Sequence, residues 1–153
     1  MKKYIPILTI LFTLVFSDCK ADNPANPGTK STEANSVIQL SDDGFKKMIF
    51  NYEVSKEWKF EGKKPAIIDF YADWCAPCRQ LSPIVEEIAR EYAGKIDVFK
   101  VDTEKEKILA QKLGITGLPT LLFIPAKGKP QVTMGALPKE DLINAINEIL
   151  LIK

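Results

Sequence analysis

Two cysteines, Cys75 and Cys78, have the residue type and the spacing that redox chemistry needs. They are separated by two residues in the stretch WCAPC, which lies between an apolar strand pattern and a helical pattern. A pair in this context passes between the dithiol and the disulfide state, which predicts thiol–disulfide exchange. A structural disulfide and half of a zinc site are the alternatives. Zinc needs four ligands, and the chain has no histidine and only one further cysteine, Cys19, so we expect no metal.

The segments around the pair should place it at the mouth of a helix. Residues 66–71 form a nearly continuous apolar run, typical of a central parallel strand that is buried on both faces. Residues 75–92 carry apolar residues at helical spacing, and Pro83 is expected to kink this helix. Unpaired backbone N–H groups and the helix dipole favour an anion at a helix N-terminus. We therefore expect the pKa of the Cys75 thiol to be lowered and its thiolate to act as a nucleophile.

Asp69 is an acidic residue in the middle of the apolar strand. Burial of a carboxylate is costly, so we expect the pKa of Asp69 to be raised. An aspartate near a strand end that makes a local hydrogen bond is the alternative. Lys100 lies in the next predicted strand, residues 96–102, and is expected to face Asp69 and moderate its charge. A lysine that points to solvent is the alternative for Lys100.

An ordinary composition and a balanced charge restrict the class of protein. With 46% hydrophobic and 27% charged residues among 153, the chain fits one globular domain. Its 21 basic and 20 acidic residues give a net charge of +1, which indicates neither a nucleic-acid partner nor an anionic-membrane partner. The absence of histidine excludes His-assisted nucleophilic catalysis, and three cysteines are too few for a disulfide scaffold.

The N-terminal residues predict a targeting segment rather than a part of the fold. Two lysines precede an apolar run over residues 5–16, which is shorter than the roughly 20 residues of a membrane-spanning helix. We interpret residues 1–18 as a signal peptide. Cys19 then resembles the lipid-attachment cysteine of bacterial lipoproteins, although Asp18 stands where a small residue is usual. Ordinary cleavage after Ala21, with loss of Cys19, is the alternative.

Residues 19–36 predict a disordered linker, because they are polar, contain two prolines and have almost no large apolar residue. Such a segment suits a tether between a membrane anchor and a folded domain, and it also suits a secreted tail. The two N-terminal segments together predict a periplasmic or exported protein. A membrane tether through Cys19 is a further expectation.

Periodicity and turn signals predict a single α/β domain over residues 37–153. Strand and helix patterns follow each other in the order β-α-β-α-β-α-β-β-α. The last two strands are joined by a Lys-Gly-Lys-Pro turn and should pair antiparallel, and the final helix should open at Pro138. This order predicts a central mixed five-stranded sheet flanked by helices on both faces.

At these spacings the domain resembles the thioredoxin family. The matching segments are DFYADWCAPC over residues 69–78, Pro83 in the helix, KVD over 100–102, GLPT over 117–120 and GAL over 135–137. Ala76 departs from the family, which usually has glycine at that position. The resemblance implies the thioredoxin fold, no cofactor, and disulfide-containing proteins as substrates.

The resemblance also implies a role for each site residue. Cys75 would be the exposed nucleophile, and Cys78, one turn further in and buried, would resolve the mixed disulfide. Asp69 would act through water as the general base for Cys78. Pro119 would follow a cis peptide bond and aim the Leu118 backbone at Cys75, where an extended substrate segment pairs; an ordinary trans proline is the alternative. An apolar rim for protein substrates would comprise Trp74, Ala76, Pro77, Ile115, Gly117, Leu118, Gly135 and Ala136, with core packing as the alternative for the tryptophan.

The favoured function is an exported thiol–disulfide oxidoreductase that reduces protein disulfides. Its electron donor, a reductase or a membrane thiol relay, is not named by the sequence. The Ala-Pro dipeptide between the cysteines resembles the Gly-Pro of reductants more than the Pro-His of strong oxidants. A disulfide oxidase or isomerase of exported proteins is the first alternative. A redox-silent binding module that holds a partner on the apolar rim is the second.

Overall fold

A five-stranded mixed sheet forms the centre of the part of the chain that the computed structural model describes, residues 36–150. The strands are β1 Ile38–Gln39, β2 Ala66–Tyr71, β3 Asp97–Asp102, β4 Thr120–Ile124 and β5 Gln131–Met134. They lie in the order β1-β3-β2-β4-β5. β3 pairs parallel with both β1 and β2, whereas β4 pairs antiparallel with β2 and β5. The central strand β2 is therefore hydrogen-bonded to a neighbouring strand on each side, β3 and β4.

Within the described residues, three helices connect these strands and a fourth follows β5. They are α1 Asp42–Met48, α2 Ala76–Glu91, α3 Lys107–Lys112 and α4 Lys139–Ile149. The Ser41 side chain accepts a hydrogen bond from the Gly44 backbone N–H at 3.2 Å and so caps α1. Pro138 is the N-cap of α4, and Pro83 lies inside α2, which continues on both sides of it.

Each face of the sheet has its own apolar core, because successive strand side chains point to opposite faces. On one face, α2 and α4 pack against Ile67, Leu121 and Phe123. On the other face, α1 and α3 pack against Ile68 and Phe70. Nearly all side chains of β2 and β4 are buried, which explains why both strands have continuous apolar sequences.

The fold class and the element order are confirmed. Strand β2 was expected to be a parallel strand, and this holds on its β3 side only, because its other neighbour β4 is antiparallel. The final helix begins at Lys139, one residue after the predicted start, since Pro138 keeps an extended backbone as N-cap. The predicted signal peptide, residues 1–18, and all but the last residue of the predicted linker, residues 19–36, lie outside the described residues. Within residues 36–150, no helix is long and apolar enough to cross a membrane.

Candidate active site

The Cys75–Cys78 pair forms a disulfide at the N-terminus of α2. The two sulfur atoms are 2.10 Å apart and the Cα atoms 5.3 Å apart. Cys75 is the N-cap residue of α2, and its Sγ accepts a hydrogen bond from the backbone N–H of Cys78 at 3.2 Å. The strand-to-helix connection between β2 and α2 therefore presents one sulfur to the first backbone N–H groups of the helix, which favour an anion at that atom.

Both cysteines are buried in this oxidised state, which corrects the expectation of an exposed Cys75. The exposed fraction of Cys75 is 4% and that of Cys78 is 2%. The two residues form a small apolar cluster with Ala72, against which Tyr71 and Leu118 pack. Leu118 covers part of the pair. The predicted difference in accessibility between the two sulfurs is thus small in the disulfide form.

Asp69 is a buried carboxylate without a hydrogen-bond partner for its Oδ1 atom among the described residues. Its exposed fraction is 4%, and it lies in the middle of β2. Burial raises the pKa of Asp69 to about 7, and the positive charge of Lys100 opposes part of this rise. The predicted pKa rise is confirmed in direction, and the alternative of a local hydrogen bond at a strand end is not what the structure shows.

Lys100 lies opposite Asp69 in the β2–β3 register, as expected. Residues in register on neighbouring strands have side chains on the same face of a sheet. The Lys100 Nζ lies 5.8 Å from the centroid of the Tyr71 ring, which holds the ammonium group over an aromatic face. The alternative of a lysine turned wholly to solvent does not apply, because Lys100 is half-buried.

A cavity of about 260 Å³ joins Asp69 and Cys78 to the surface. Its lining residues are Asp69, Tyr71, Ala72, Asp73, Cys78, Arg79, Ser82 and Lys100. The volume accommodates several water molecules, whose share of liquid volume is about 30 Å³ each. The arrangement therefore allows a proton to pass between the carboxyl group and the sulfur through water, as a general base acting at Cys78 requires.

The peptide bond between Leu118 and Pro119 is cis, as expected. The carbonyl oxygen of Pro119 accepts a hydrogen bond from the Gly135 backbone N–H at 2.8 Å, and Gly135 has a φ of 96° that favours glycine. The Thr120 hydroxyl donates to the Gly117 carbonyl oxygen at 2.7 Å. The first bond fastens the 117–120 loop to the residues that follow β5, and the second closes the loop on itself. In this loop, Leu118 packs against the cysteine pair.

The structure brings most of the predicted rim together around the disulfide. Trp74 is 68% exposed, so the alternative of core packing is excluded for it. A shallow depression beside it is lined by Trp74, Thr103, Ala110, Ile115, Thr116, Gly117 and Leu118. Ala76 and Pro77 are exposed in the first turn of α2, Gly135 is half-buried and Ala136 is exposed. The role of these residues in substrate binding stays a prediction.

Three neighbours of the site, Arg79, Thr116 and Met134, were not singled out from the sequence. Arg79 lines the Asp69 cavity and donates from its guanidinium to the Asp73 carbonyl oxygen at 2.9 Å. Met134 is 64% exposed, and its sulfur lies 4.0 Å from the Thr116 hydroxyl. Their positions next to Cys78, Gly117 and Gly135 in the chain were the available signal. Within residues 36–150, no group of three or more potential metal ligands occurs.

The fold and the site together define a class of protein. A cysteine pair begins a helix, a cis-proline loop packs against the pair, and a buried carboxylate with a raised pKa lies behind it. This combination serves exchange of a dithiol for a disulfide on another molecule. Such an exchange requires neither a deep substrate pocket nor a prosthetic group.

Comparisons with known proteins agree with this class. The family model for thioredoxin matches residues 36–148. Thioredoxin of Borreliella burgdorferi is 47% identical over 112 residues, which cover 73% of this chain and 96% of that protein. Thioredoxin 1 of a Nostoc species is 34% identical over 116 residues, covering 76% of this chain and 99% of that protein.

Solved structures are similar as well. Chloroplastic thioredoxin z has a TM-score of 0.63 at 28% identity, with 74% of this chain and 94% of that chain covered. Thioredoxin of Malassezia sympodialis has a TM-score of 0.59 at 32% identity, with 74% and 90% covered. The chain belongs to the thioredoxin family. It is a thiol–disulfide oxidoreductase with protein-disulfide reductase activity, and disulfide-containing proteins are its general kind of substrate.

Proposed function

We propose that this thioredoxin reduces disulfides of proteins outside the cytoplasm, in the periplasm or at a membrane surface. The observation that carries the reductive chemistry is the Cys75–Cys78 pair at the N-terminus of α2, with Asp69 behind it. The location is supported by the sequence upstream of the domain, where a basic start and an apolar run over residues 5–16 precede Cys19.

The first step is attack by the Cys75 thiolate on a substrate disulfide. One substrate sulfur becomes bonded to Cys75, and the other leaves as a thiolate. The Cys75 sulfur is suited to this step because it already accepts a backbone N–H from α2. An extended substrate segment pairs with the Leu118 backbone, and the apolar rim receives its side chains.

The second step is attack by the Cys78 thiolate on the sulfur of Cys75. Ionised Asp69 takes the Cys78 proton through water in the cavity that both residues line. The Cys75–Cys78 disulfide forms, the bond to the substrate breaks, and the second substrate sulfur leaves as a thiolate. Two electrons have then passed from the dithiol to the substrate, and the disulfide state seen in the structure is the product.

Each cycle requires a dithiol donor that reduces the Cys75–Cys78 disulfide again. In an oxidising compartment, a membrane thiol relay or a reductase supplies these electrons. An oxidase or isomerase would use the same two steps in the other direction, so the reduction potential separates these functions. A redox-silent binding module would not need either sulfur.

Trapping in cells tests the proposed chemistry. With Cys78→Ser, substrates should accumulate as mixed disulfides on Cys75, and mass spectrometry names them. Cys75→Ser is the matched control and should trap none. A potential close to that of known reductants, measured in graded dithiol buffers, supports reduction, whereas a potential well above the glutathione poise supports the oxidase. Retained cellular function in Cys75→Ser would support the binding module.

Cell fractionation tests the location separately. The protein should appear in the periplasmic or membrane fraction, and labelled palmitate should enter the mature chain if Cys19 carries the lipid. Cys19→Ala should abolish that label while leaving disulfide reduction in solution unchanged. Recovery of the unprocessed chain in the cytoplasm would contradict export, and a mature chain without label would contradict the lipid anchor alone.

A further inference from the structure

Charged residues are distributed unequally between the two ends of the sheet. Strands β1, β2 and β3 run in one direction, so their carboxyl ends share one end of the sheet with Cys75. We call this the redox end. At the opposite end, Ala66 is in register with both Asp97 and Ile124, so the chain segments before β2, before β3 and after β4 meet there.

The end opposite the redox end is rich in lysine, and we call it the basic end. Its lysines are Lys63, Lys64, Lys95, Lys127 and Lys129. Lys64 forms a salt bridge with Asp97 at 2.6 Å. Within residues 36–150, the other four form no salt bridge, and all four are exposed. Acidic residues also lie at this end. Glu61 lines a groove with Lys63 and Lys64 and forms a salt bridge with Lys59 at 3.3 Å, and Glu148 lies near Gln131 on the β5 side.

The redox end carries both signs of charge. Asp42 and Asp43 begin α1 and pair with Lys46, and Asp102 pairs with Lys105. Asp73 and Glu104 are exposed and form no salt bridge within residues 36–150. The two ends are separated by the length of β2, six residues, which is about 20 Å at about 3.3 Å per residue. A negatively charged surface would therefore attract the basic end more strongly than the redox end.

We propose that the basic end docks on an anionic lipid surface and points the cysteine pair away from it. This inference rests on the proposed location outside the cytoplasm. The chain enters the domain at the same end. Strand β1 runs parallel to β3, with Ile38 in register with Phe99, so the residues before β1 lie towards the basic end. The apolar run over residues 5–16 and Cys19 lie upstream of that entry point, so a membrane-held chain would bring these lysines next to the headgroups.

The kind of basic residue favours a lipid surface over a nucleic acid. The three segments at the basic end, residues 51–65, 92–96 and 125–130, contain lysine and no arginine. Lysine is a compact point charge suited to diffuse attraction, whereas arginine dominates the bidentate recognition of phosphates and bases. Clusters of four or more basic residues beside a membrane are typical of binding to anionic headgroups.

Vesicle binding tests the proposal. The protein used is the mature form, purified after its own host cell has processed it. Wild type is compared with the triple variant Lys63→Gln, Lys127→Gln, Lys129→Gln on two kinds of vesicle. One kind is phosphatidylcholine alone, and the other is an equal mixture with phosphatidylglycerol. Each lysine near an anionic surface contributes about fivefold to the partition coefficient. The triple variant should therefore lose on the order of a hundredfold on the mixed vesicles and nothing on the neutral ones.

The matched control is the triple variant Lys105→Gln, Lys107→Gln, Lys112→Gln, which removes the same charge elsewhere in the domain. It should bind the mixed vesicles as wild type does. Equal losses in both variants would overturn the proposal in favour of net charge, and no loss in either would overturn it in favour of the N-terminal segment or a soluble partner. Insulin reduction without vesicles tests the redox function independently and should be equal in all three proteins.

Discussion

At the residue scale, Asp69 is the side chain on which the proposed chemistry of the second cysteine depends. It is buried, its Oδ1 has no partner among the described residues, and its pKa is raised to about 7. A carboxyl group with such a pKa both accepts and returns a proton near neutral pH. The cost of burying it is therefore the condition that makes it an effective base.

Asp69→Asn should slow resolution of the mixed disulfide by about a hundredfold, because general-base catalysis contributes that much or more. The first attack by Cys75 should change little. The wild-type resolution rate should rise with pH through about 7, where Asp69 ionises, and the variant should lack this rise. Single-turnover reduction of a disulfide substrate at several pH values measures both steps. A variant with an unaltered pH profile would show that another group is the base.

Lys100→Gln should shift the midpoint of the same pH profile to higher pH. The charge of Lys100 lowers the pKa of Asp69 against the effect of burial, so its removal raises the pH at which the base ionises. Lys105→Gln is the control, because Lys105 forms its salt bridge with Asp102 at 2.9 Å instead. Single-turnover rates over pH give the midpoint for each variant. A downward shift, or equal shifts in both variants, would refute the role of Lys100.

At the element scale, the N-terminus of α2 is the feature that distinguishes Cys75 from an ordinary cysteine. The N-cap position gives its sulfur the Cys78 backbone N–H. No acidic residue occupies the first turn of α2, so the positive end of the helix dipole is left for the sulfur. Strand β2 fixes the start of this helix because it is bonded on both edges.

Reduced Cys75 should therefore react with iodoacetamide at a pH well below the ordinary cysteine pKa of about 8.5. The reaction is followed on Cys78→Ser protein, with peptide mapping to separate Cys75 from Cys19. Free cysteine in the same buffers is the reference. Half-maximal reactivity at or above the reference value would mean that α2 does not stabilise the thiolate.

The elements near the site could be predicted because each has a strong local pattern. The bounds of β2 and β5 agree with the sequence patterns, since apolar runs and a Gly-containing turn mark them. The segment between α1 and β2 could not be predicted. Its aromatic residues Phe50, Tyr52, Trp58 and Phe60 pack against the second core, yet they follow neither strand nor helix periodicity. Their packing is set by tertiary contacts, which a local pattern does not contain.

The site itself was predictable only in part. Residue types and the family motif located the cysteine pair, Asp69, Lys100 and Pro119. The low exposure of Cys75 was not predictable, because it depends on the disulfide and on Leu118 from a distant loop. Met134 was missed for the same reason, since it contacts Thr116 of another segment. Arg79 contacts the nearby Asp73, but no local pattern distinguishes it from other exposed helix residues.

At the scale of the whole molecule, net charge conceals how charge is arranged. The formal value of +1 gave no reason to expect an anionic partner. The sheet topology brings lysine-rich connections together at the basic end, which only the fold can reveal. The net charge alone therefore neither supports nor opposes the proposed docking of the basic end on an anionic surface.

At the scale of the whole domain, the contribution of Asp69 to the free energy of unfolding should fall as pH rises from about 4 to about 7. Folding raises the pKa of Asp69 from 3.8 to about 7, so between these values the folded state holds a proton that the unfolded state has released. The stability that this proton contributes is complete below the unfolded pKa and is lost as the pH passes the folded pKa. A pKa difference of about three units corresponds to a loss of at most about 4 kcal/mol in the free energy of unfolding.

Urea unfolding of wild type and Asp69→Asn over this pH range measures the effect. The free energy of unfolding of the variant should lack this fall, so the difference between the two proteins isolates Asp69 from the other carboxyl groups. Parallel pH curves for both proteins would contradict a buried carboxyl with a raised pKa.

The cavity behind Cys78 and the depression beside Trp74 have no lining residue in common. In the proposed mechanism, water therefore reaches Asp69 through one opening and a substrate protein binds over the other. A substrate that covers the rim would leave the cavity open to solvent, so Asp69 could exchange its proton while the substrate is still attached. The base would then regain its ionised form before the substrate leaves the surface.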